Sequence, residues 1–223
     1  MCGRFSLTAN LTTVAQRFGV PIPTAESAVW IPSYNIPPTK TVVVVGDDGT
    51  RYLTEMRWGL IPSWAKDPSI GNRMINARAE TVSTKPAFRA ALRKRRCLVV
   101  ADGFYEWQKE GRGKQPFYIA LKSREPFGFA GLWETWTSPD GAEIKSCTII
   151  TTEANELLRQ IHDRMPVILT GEAEAVWLDP TIQEPARLLP LLKPYPAQEM
   201  EAYPVSRLVN LPTYDAPECV LPI

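Results

Sequence analysis

The stretch Cys97-Leu98-Val99-Val100-Ala101-Asp102-Gly103-Phe104-Tyr105-Glu106-Trp107-Gln108 sets the architecture of the surrounding chain. Residues 97–101 are apolar and include two β-branched side chains, a pattern that predicts a strand. Asp102-Gly103 predicts a turn or a bulge, and residues 104–108 predict a second strand. The sequence therefore predicts a sheet that extends to both sides of this stretch.

Strand patterns do continue on both sides. Runs at 41–45 and 52–57 flank Asp47-Asp48-Gly49, which predicts a hairpin. Further strands are predicted at 116–121, 127–136 and 145–151, and short helices at 11–18, from Lys85, at 152–161, at 171–178 and at 183–192. Because these helices are interspersed among the strands and do not alternate with them, we predict an α+β fold with a largely antiparallel, strongly curved sheet. We expect a single domain over residues 1–223.

Composition excludes several classes of protein. The chain has 223 residues, of which 44% are hydrophobic and 22% charged, as in ordinary globular proteins. No stretch approaches 18 apolar residues, and no basic segment followed by an apolar one marks a secretory signal, so we expect neither a membrane span nor export. The four cysteines lack CxxC spacing and there is one histidine, so we expect no metal and no cofactor. The sequence predicts a reduced, cytoplasmic protein, and we expect a monomer.

Charge is distributed unevenly along the chain. Residues 1–110 hold 15 Lys and Arg against 9 Asp and Glu, whereas residues 111–223 hold 10 against 15. A basic half can present a phosphate-binding face, although uneven scatter in a folded protein explains the same counts. The run Arg93 to Arg96 predicts a solvated helix face, and we leave it out of the site.

The N-terminal stretch Met1-Cys2-Gly3-Arg4-Phe5 suggests covalent chemistry. An initiator Met before a residue as small as Cys is normally removed, which would leave Cys2 with an α-amine and a thiol on adjacent carbons. Their reference pKa values are roughly 8 and 8.5, so a modest perturbation would make both nucleophilic near neutral pH. The amine can condense with an aldehyde and the thiol can then close a thiazolidine ring. The alternative is an inert Cys2 with Met1 retained.

Three further residues would suit this chemistry. Glu106 lies between two aromatic residues, and an apolar setting would raise its pKa toward that of a general acid. His162 follows an apolar helical pattern, and an imidazole can shuttle protons. Asn76 can orient a reacting group. The alternatives are a glutamate on the strand surface, a histidine at a helix C-terminus and an asparagine in a turn.

Other residues suit contacts with a nucleic acid. Arg4, Arg78 and Arg164 can donate paired hydrogen bonds to phosphate oxygens, although surface ion pairs would explain them equally well. An extended segment would direct Asn76 and Arg78 to the same side. Trp64, beside Lys66, can offer a stacking surface for an unpaired base.

Five segments of the chain resemble the SRAP family, whose members have been called SOS response-associated peptidases and act as abasic-site shields. They appear in family order within residues 2–169, and together they are highly specific: Met1-Cys2-Gly3-Arg4-Phe5, Trp58-Gly59-Leu60-Ile61-Pro62-Ser63-Trp64, Ile75-Asn76-Ala77-Arg78-Ala79-Glu80-Thr81, Asp102-Gly103-Phe104-Tyr105-Glu106-Trp107 and His162-Asp163-Arg164-Met165-Pro166-Val167-Ile168-Leu169. Residues 179–223 are less diagnostic.

The resemblance implies an antiparallel, barrel-like sheet crossed by a basic groove for single-stranded DNA. It implies that Cys2, with Met1 removed, attacks the ring-opened aldehyde of an abasic site and forms a thiazolidine crosslink. Glu106 would act as acid and base, His162 would assist proton transfer and Asn76 would orient the sugar. The remaining roles are phosphate contacts by Arg4, Arg78 and Arg164, and base packing by Trp64.

Two other functions compete with this one. A thiol peptidase or N-terminal-nucleophile hydrolase would use Cys2 against amides, and removal of its own Met1 would be one such reaction. A non-covalent binder of single strands would need only the arginines and Trp64.

Overall fold

Strands account for most of the regular structure. The computed structural model describes residues 2–22, 31–111 and 113–223. Within them, the strands are β1 (Phe5–Leu7), β2 (Ser33–Ile36), β3 (Thr41–Asp47), β4 (Arg51–Trp58), β5 (Asn76–Arg78), β6 (Arg96–Ala101), β7 (Gly103–Glu110), β8 (Gly113–Leu121), β9 (Phe127–Thr137), β10 (Glu143–Glu153), β11 (Arg164–Pro166) and β12 (Met200–Pro204).

The helices are short. They are α1 (Leu11–Phe18), α2 (Arg89–Lys94), α3 (Gly171–Leu178) and α4 (Pro185–Leu188), with 3₁₀ turns at Pro68–Arg73, Leu158–Gln160, Leu189–Leu191, Ala197–Glu199, Arg207–Asn210 and Pro217–Val220. No helix in the described ranges is long and apolar enough to cross a membrane.

Five strands close into a small barrel in the order β10-β4-β3-β6-β9, and β9 pairs with β10 to complete the ring. The pairs are antiparallel except β4 with β10, where Arg57 lies opposite Ser146. Gly131 of β9 suits the crowded interior, because a Cβ there would lie 2.9 Å from the Cys97 sulfur. The mixed barrel confirms the predicted α+β class and its curved, largely antiparallel sheet.

Two short strands extend the far half of β10. The parallel strand β5 places Asn76 beside Ile149 and Arg78 beside Thr151, whereas the antiparallel strand β11 places Arg164 beside Glu153. Residues 76–78 are therefore extended. This conformation directs the side chains of Asn76 and Arg78 to the same side of the strand. Three predicted site residues thus lie along one barrel strand.

A second, antiparallel sheet has the order β12-β8-β7-β1-β2. In it, β1 pairs with β7 so that Phe5 lies opposite Phe104 and Ser6 opposite Gly103. The amide of Tyr105 then donates to the Arg4 carbonyl at 3.0 Å, which carries the pairing one step further. Continuing this antiparallel register brings the start of the chain alongside Glu106.

Several local predictions are confirmed. The 41–45 and 52–57 runs form the β3–β4 hairpin with Val44 opposite Thr54. Helix α1 begins after Asn10, whose side chain accepts the Thr13 amide, and ends at Gly19 in the left-handed region with φ 63°. Strand β8 ends at Leu121 and β9 begins at Phe127, as predicted.

The helix predicted at 152–161 is wrong. Strand β10 continues to Glu153 because Thr152 pairs with Met165 of β11, and only the turn Leu158–Gln160 is helical. The Asn155 side chain accepts the Leu158 amide and begins this turn. Tertiary pairing thus overrides the local apolar spacing, and His162 follows a 3₁₀ turn instead of a helix.

Arg96 also departs from the predicted solvated face. It is buried, and its guanidinium donates to carbonyl oxygens at the ends of α2 and α3, including Arg93, Trp177 and Asp179. Because helix C-termini leave carbonyl groups without intrahelical partners, Arg96 caps two helices at once.

Candidate active site

The four residues predicted to carry chemistry converge from four elements. Cys2 precedes β1, Asn76 begins β5, Glu106 lies within β7 and His162 lies between the Leu158–Gln160 turn and β11. The Asn76 side-chain amide donates to the Cys2 carbonyl at 2.8 Å. Glu106 is close enough to Cys2 for its charge to act on the thiol. These contacts join the barrel to the second sheet at one place.

The Cys2 thiol lies in a buried position. Its side chain is 0% exposed and its sulfur lies 3.8 Å from the Arg4 carbonyl oxygen, a weak S–H donor contact. Burial raises the pKa of the Cys2 thiol, and the nearby Glu106 carboxylate raises it further. The expected perturbation toward a thiolate near neutral pH is therefore wrong for this thiol in the described state, where it carries its proton.

Glu106 is buried, as expected for a carboxyl group with a raised pKa. It is 1% exposed, and burial raises the pKa of its carboxyl to about 7. The charge of Asp163, next to His162, contributes to the same upward shift. A carboxyl group with a pKa near 7 can both donate and accept a proton at neutral pH, which suits general acid and base catalysis.

His162 is held as a neutral imidazole. Its Nδ1 accepts the backbone amide of Arg164 at 3.0 Å, and burial lowers its pKa. The Asp163 carboxylate lies 2.9 Å from the same nitrogen, which would be an ion pair only with a proton on Nδ1. Since the Arg164 amide already uses the Nδ1 lone pair, the geometry favours a proton on Nε2. His162 can then donate from Nε2 to a reacting group.

One polar atom of Asn76 has no hydrogen-bond partner among the described residues. Its Nδ2 is engaged with Cys2, whereas its Oδ1 is buried and accepts no hydrogen bond within the described residues. Buried acceptors are nearly always satisfied, so an open one in a reactive site points to a donor on the substrate. The amide orientation follows from this network, because Nδ2 must face the Cys2 carbonyl.

Two of the predicted arginines lie on one side of this cluster. Arg78 is exposed at the end of β5, opposite Thr151 of β10. Arg164 is partly buried, donates to the Thr151 carbonyl at 2.7 Å and forms a paired contact with Glu80. That contact lowers the pKa of the Glu80 carboxyl. Arg78 is the more accessible of the two cations.

Arg4 and Trp64 have very different surroundings. The Arg4 guanidinium is buried and donates to the Asn35 side chain at 2.6 Å and to the Val209 carbonyl at 2.8 Å. These contacts tie the N-terminal segment to β2 and to the C-terminal region. Trp64 is 60% exposed, as a stacking surface requires. The DNA roles of both residues stay predictions.

Two contacts that position the site could not be predicted from the sequence. Asp102 accepts the amides of Thr8 and Ala9 and the Ser6 hydroxyl, which fixes β1 against β7. Gln108 donates to the Gln160 carbonyl at 2.8 Å and connects β7 to the segment that carries His162. The sequence Asp102-Gly103 predicts only a turn, and an isolated glutamine such as Gln108 predicts no particular contact.

The described residues contain no group of three or more His, Cys, Asp and Glu side chains that could hold a metal ion. The site instead combines a buried thiol, a carboxyl group with a pKa near 7, a neutral imidazole and an open amide oxygen. This combination, beside a mixed barrel, makes Cys2 the candidate nucleophile.

Comparison with known proteins identifies the family. The family model described as SOS response associated peptidase (SRAP) matches residues 1–212, and the chain belongs to this family. It is 49% identical over 224 residues to the abasic site processing protein YoqW of Bacillus subtilis (strain 168), covering 99% of each chain. It is 37% identical over 225 residues to the abasic site processing protein HMCES of Gallus gallus, covering 86% of this chain and 66% of that protein.

A solved structure has the same fold. A crystal structure of a protein from Bacteroides thetaiotaomicron is 31% identical, with a TM-score of 0.90 and complete coverage of both chains. The family and the fold expected from the five segments are thus confirmed.

Proposed function

We propose that this protein binds single-stranded DNA and crosslinks Cys2 to the aldehyde of an abasic site, which shields the lesion in the DNA damage response. One observation carries the proposal: Asn76 holds the backbone of Cys2 while Glu106, with a pKa of about 7, lies beside its thiol. The names of the relatives YoqW and HMCES, both abasic site processing proteins, support the same substrate.

The proposed reaction begins with hydrolysis of the Met1–Cys2 peptide bond, which frees the α-amine of Cys2. The amine nitrogen attacks the aldehyde carbon, and the aldehyde oxygen leaves as water to give an imine. The thiol sulfur then adds to the carbon of the protonated imine, which keeps its N–H, and the thiol proton passes to the Glu106 carboxylate. The product is a thiazolidine ring, and the crosslinking steps release one water. The amine acts first, because the thiol closes the ring by adding to the imine carbon.

Each proposed proton transfer is assigned to a particular site residue. A protonated Glu106 would donate to the departing oxygen and, once ionised, would accept the thiol proton during ring closure. His162, with its proton on Nε2, would donate to the sugar oxygen during ring opening. The open Oδ1 of Asn76 would accept a hydrogen bond from the sugar or from the freed amine of Cys2.

The strand would be held by cations beside the lesion. Arg78 is exposed and ready for a phosphate, whereas Arg164 would have to exchange Glu80 for one. Trp64 would stack on a base. Arg4 would contact phosphate only if its bonds to Asn35 and Val209 were rearranged.

A second function uses the same nucleophile. The family description names a peptidase, and a Cys2 thiol activated by Glu106 would suit attack on an amide. In that case the protein would turn over peptide and would accumulate no DNA adduct.

A denaturing gel distinguishes these functions. The wild type should retain an oligonucleotide with one abasic site, and Cys2→Ala should not, while its affinity for the strand stays within several-fold because the phosphate contacts remain. Cys219→Ala, which removes a buried thiol outside the site, is the matched control. An adduct that persists in Cys2→Ala, or a Cys2→Ala variant that no longer binds DNA, contradicts the proposal.

A further inference from the structure

Two lysines face each other across the β7–β8 hairpin. Lys109 and Lys114 are direct partners in the antiparallel register, and both are exposed. Like charges at directly opposed positions destabilise a pair of strands. A hairpin that carries such a pair therefore suits an anionic partner that binds between the two ammonium groups.

No carboxylate of the described residues neutralises this pair. Neither lysine has an ion-pair partner within residues 2–22, 31–111 and 113–223. The adjacent Glu110 is engaged with Arg207 at 3.1 Å. Both ammonium groups are thus available to an external anion.

The hairpin is attached to the candidate active site. Lys109 follows Glu106 by three residues on the same strand, a span of about 10 Å, and the regular register directs the two side chains to opposite faces of the strand. Between them, Trp107 donates to the Asn210 side chain at 2.7 Å and Gln108 donates to the Gln160 carbonyl at 2.8 Å. The second contact fixes the hairpin against the segment that ends at His162.

The charge of Lys114 reaches the reacting groups. It acts to lower the pKa of both Glu106 and His162, as a smaller contribution than burial in each case. Lys114 is therefore within electrostatic range of Glu106 and His162. Lys109 and Lys114 belong to the second sheet, whereas Arg78 and Arg164 lie beside barrel strand β10.

We propose that Lys109 and Lys114 together bind one backbone phosphate of a DNA strand whose lesion lies at Cys2. This subsite rests on the proposed function and extends it. The strand would be held by cations from both sheets, Arg78 and Arg164 from the barrel side and the lysine pair from the hairpin side. The half-buried Trp107 on the same strand adds an aromatic surface, which is common where single strands bind.

The experiment is a salt titration of DNA binding. Fluorescence anisotropy would use a labelled single strand without an abasic site, so that only reversible binding is measured. The variant K109A/K114A should lower the slope of log affinity against log salt by about 0.7, and should weaken binding about fivefold at 0.1 M salt. The control K122A/K145A removes two exposed lysines at other positions.

The outcomes separate this inference from the function on which it rests. A loss of slope in K109A/K114A that is absent from K122A/K145A supports the subsite. If both variants match the wild type, or if both lose the same slope, the subsite is wrong even though the wild type still crosslinks an abasic strand. If the wild type neither binds nor crosslinks DNA, the proposed function itself fails. Thermal unfolding should show no loss of stability in either variant.

Discussion

The side-chain amide of Asn76 donates a hydrogen bond to the carbonyl oxygen of Cys2 at 2.8 Å. This hydrogen bond joins the barrel strand β5 to Cys2, which precedes strand β1 of the second sheet. The start of a chain is usually poorly ordered unless something holds it. Asn76 therefore gives the candidate nucleophile a defined position beside Glu106.

Replacing Asn76 should slow crosslinking without weakening DNA binding. Asn76→Ala removes a buried hydrogen bond, worth about 1 kcal/mol, and the acceptor proposed for the substrate, so we expect a rate about tenfold or more below the wild type. Single-turnover gels would measure the rate. Asn72→Ala removes an amide that contacts Arg57 away from the site and should react normally. Equal rates for Asn76→Ala and Asn72→Ala would exclude this role.

The crosslinking rate should depend on pH through the carboxyl group of Glu106. Because its pKa is about 7, the crosslinking rate of the wild type should change between about pH 6 and 8, and this inflection should be absent from Glu106→Gln. Rates measured across pH 5 to 9 on the same oligonucleotide would test this. An unchanged inflection in Glu106→Gln would assign the titration to another group.

The same carboxyl group should lower stability at neutral pH. Its pKa is raised from 4.5 to about 7 on folding, so the unfolded chain loses this proton first as pH rises. The free energy of unfolding should therefore fall between about pH 4.5 and 7, by up to about 3 kcal/mol, and then level off. Glu106→Gln should be more stable than the wild type at pH 8 and similar at pH 4. Urea unfolding at both values measures the difference, and an equal gain at both would contradict it.

Replacing Arg4 should lower stability, whereas replacing Arg78 should weaken DNA binding. Arg4→Ala removes buried hydrogen bonds to Asn35 and Val209 and should cost about 2 kcal/mol of unfolding free energy. Arg78→Ala should leave stability unchanged, because its side chain is exposed, and should weaken DNA binding about fivefold at 0.1 M salt. Thermal unfolding and anisotropy would be measured on both variants. An unchanged affinity for DNA in Arg78→Ala would refute the phosphate role of Arg78.

Asp102 should act on the site through β1. Asp102→Ala removes the acceptor of the Thr8 and Ala9 amides, so we expect a loss of about 2 kcal/mol in stability and slower crosslinking. Asn10→Ala, which removes the cap of α1, should cost about 1 kcal/mol and leave the rate unchanged. If both variants crosslink at the wild-type rate, Asp102 is structural only.

Much of this structure could be predicted from the sequence because its signals are local. The β-branched runs of β3 and β4, the Asn10 and Gly19 ends of α1 and the aromatic neighbours of Glu106 each lie within a few residues. The five family segments assigned roles to site residues that their chemistry had already singled out. The Cys2 thiol was harder to predict, because its burial depends on elements far away in sequence.

Predictions failed where distant pairing determines the local structure. The 152–161 segment has apolar spacing typical of a helix, yet the pairing of Thr152 with Met165 extends β10. Arg96 belongs to a basic run, yet the carbonyl ends of α2 and α3 converge on it. Gln108 reaches Gln160, 52 positions along the chain. None of these partners can be identified from the residues nearby.

Intact-protein mass spectrometry tests the central claim most directly. The protein would be incubated with a single strand that carries one abasic site, and no reductant would be added. We expect a chain without Met1, increased by the mass of the oligonucleotide less one water, in the wild type and not in Cys2→Ala. A chain without Met1 that stays unshifted, or one that retains Met1 and still gains the oligonucleotide, would contradict thiazolidine formation at Cys2.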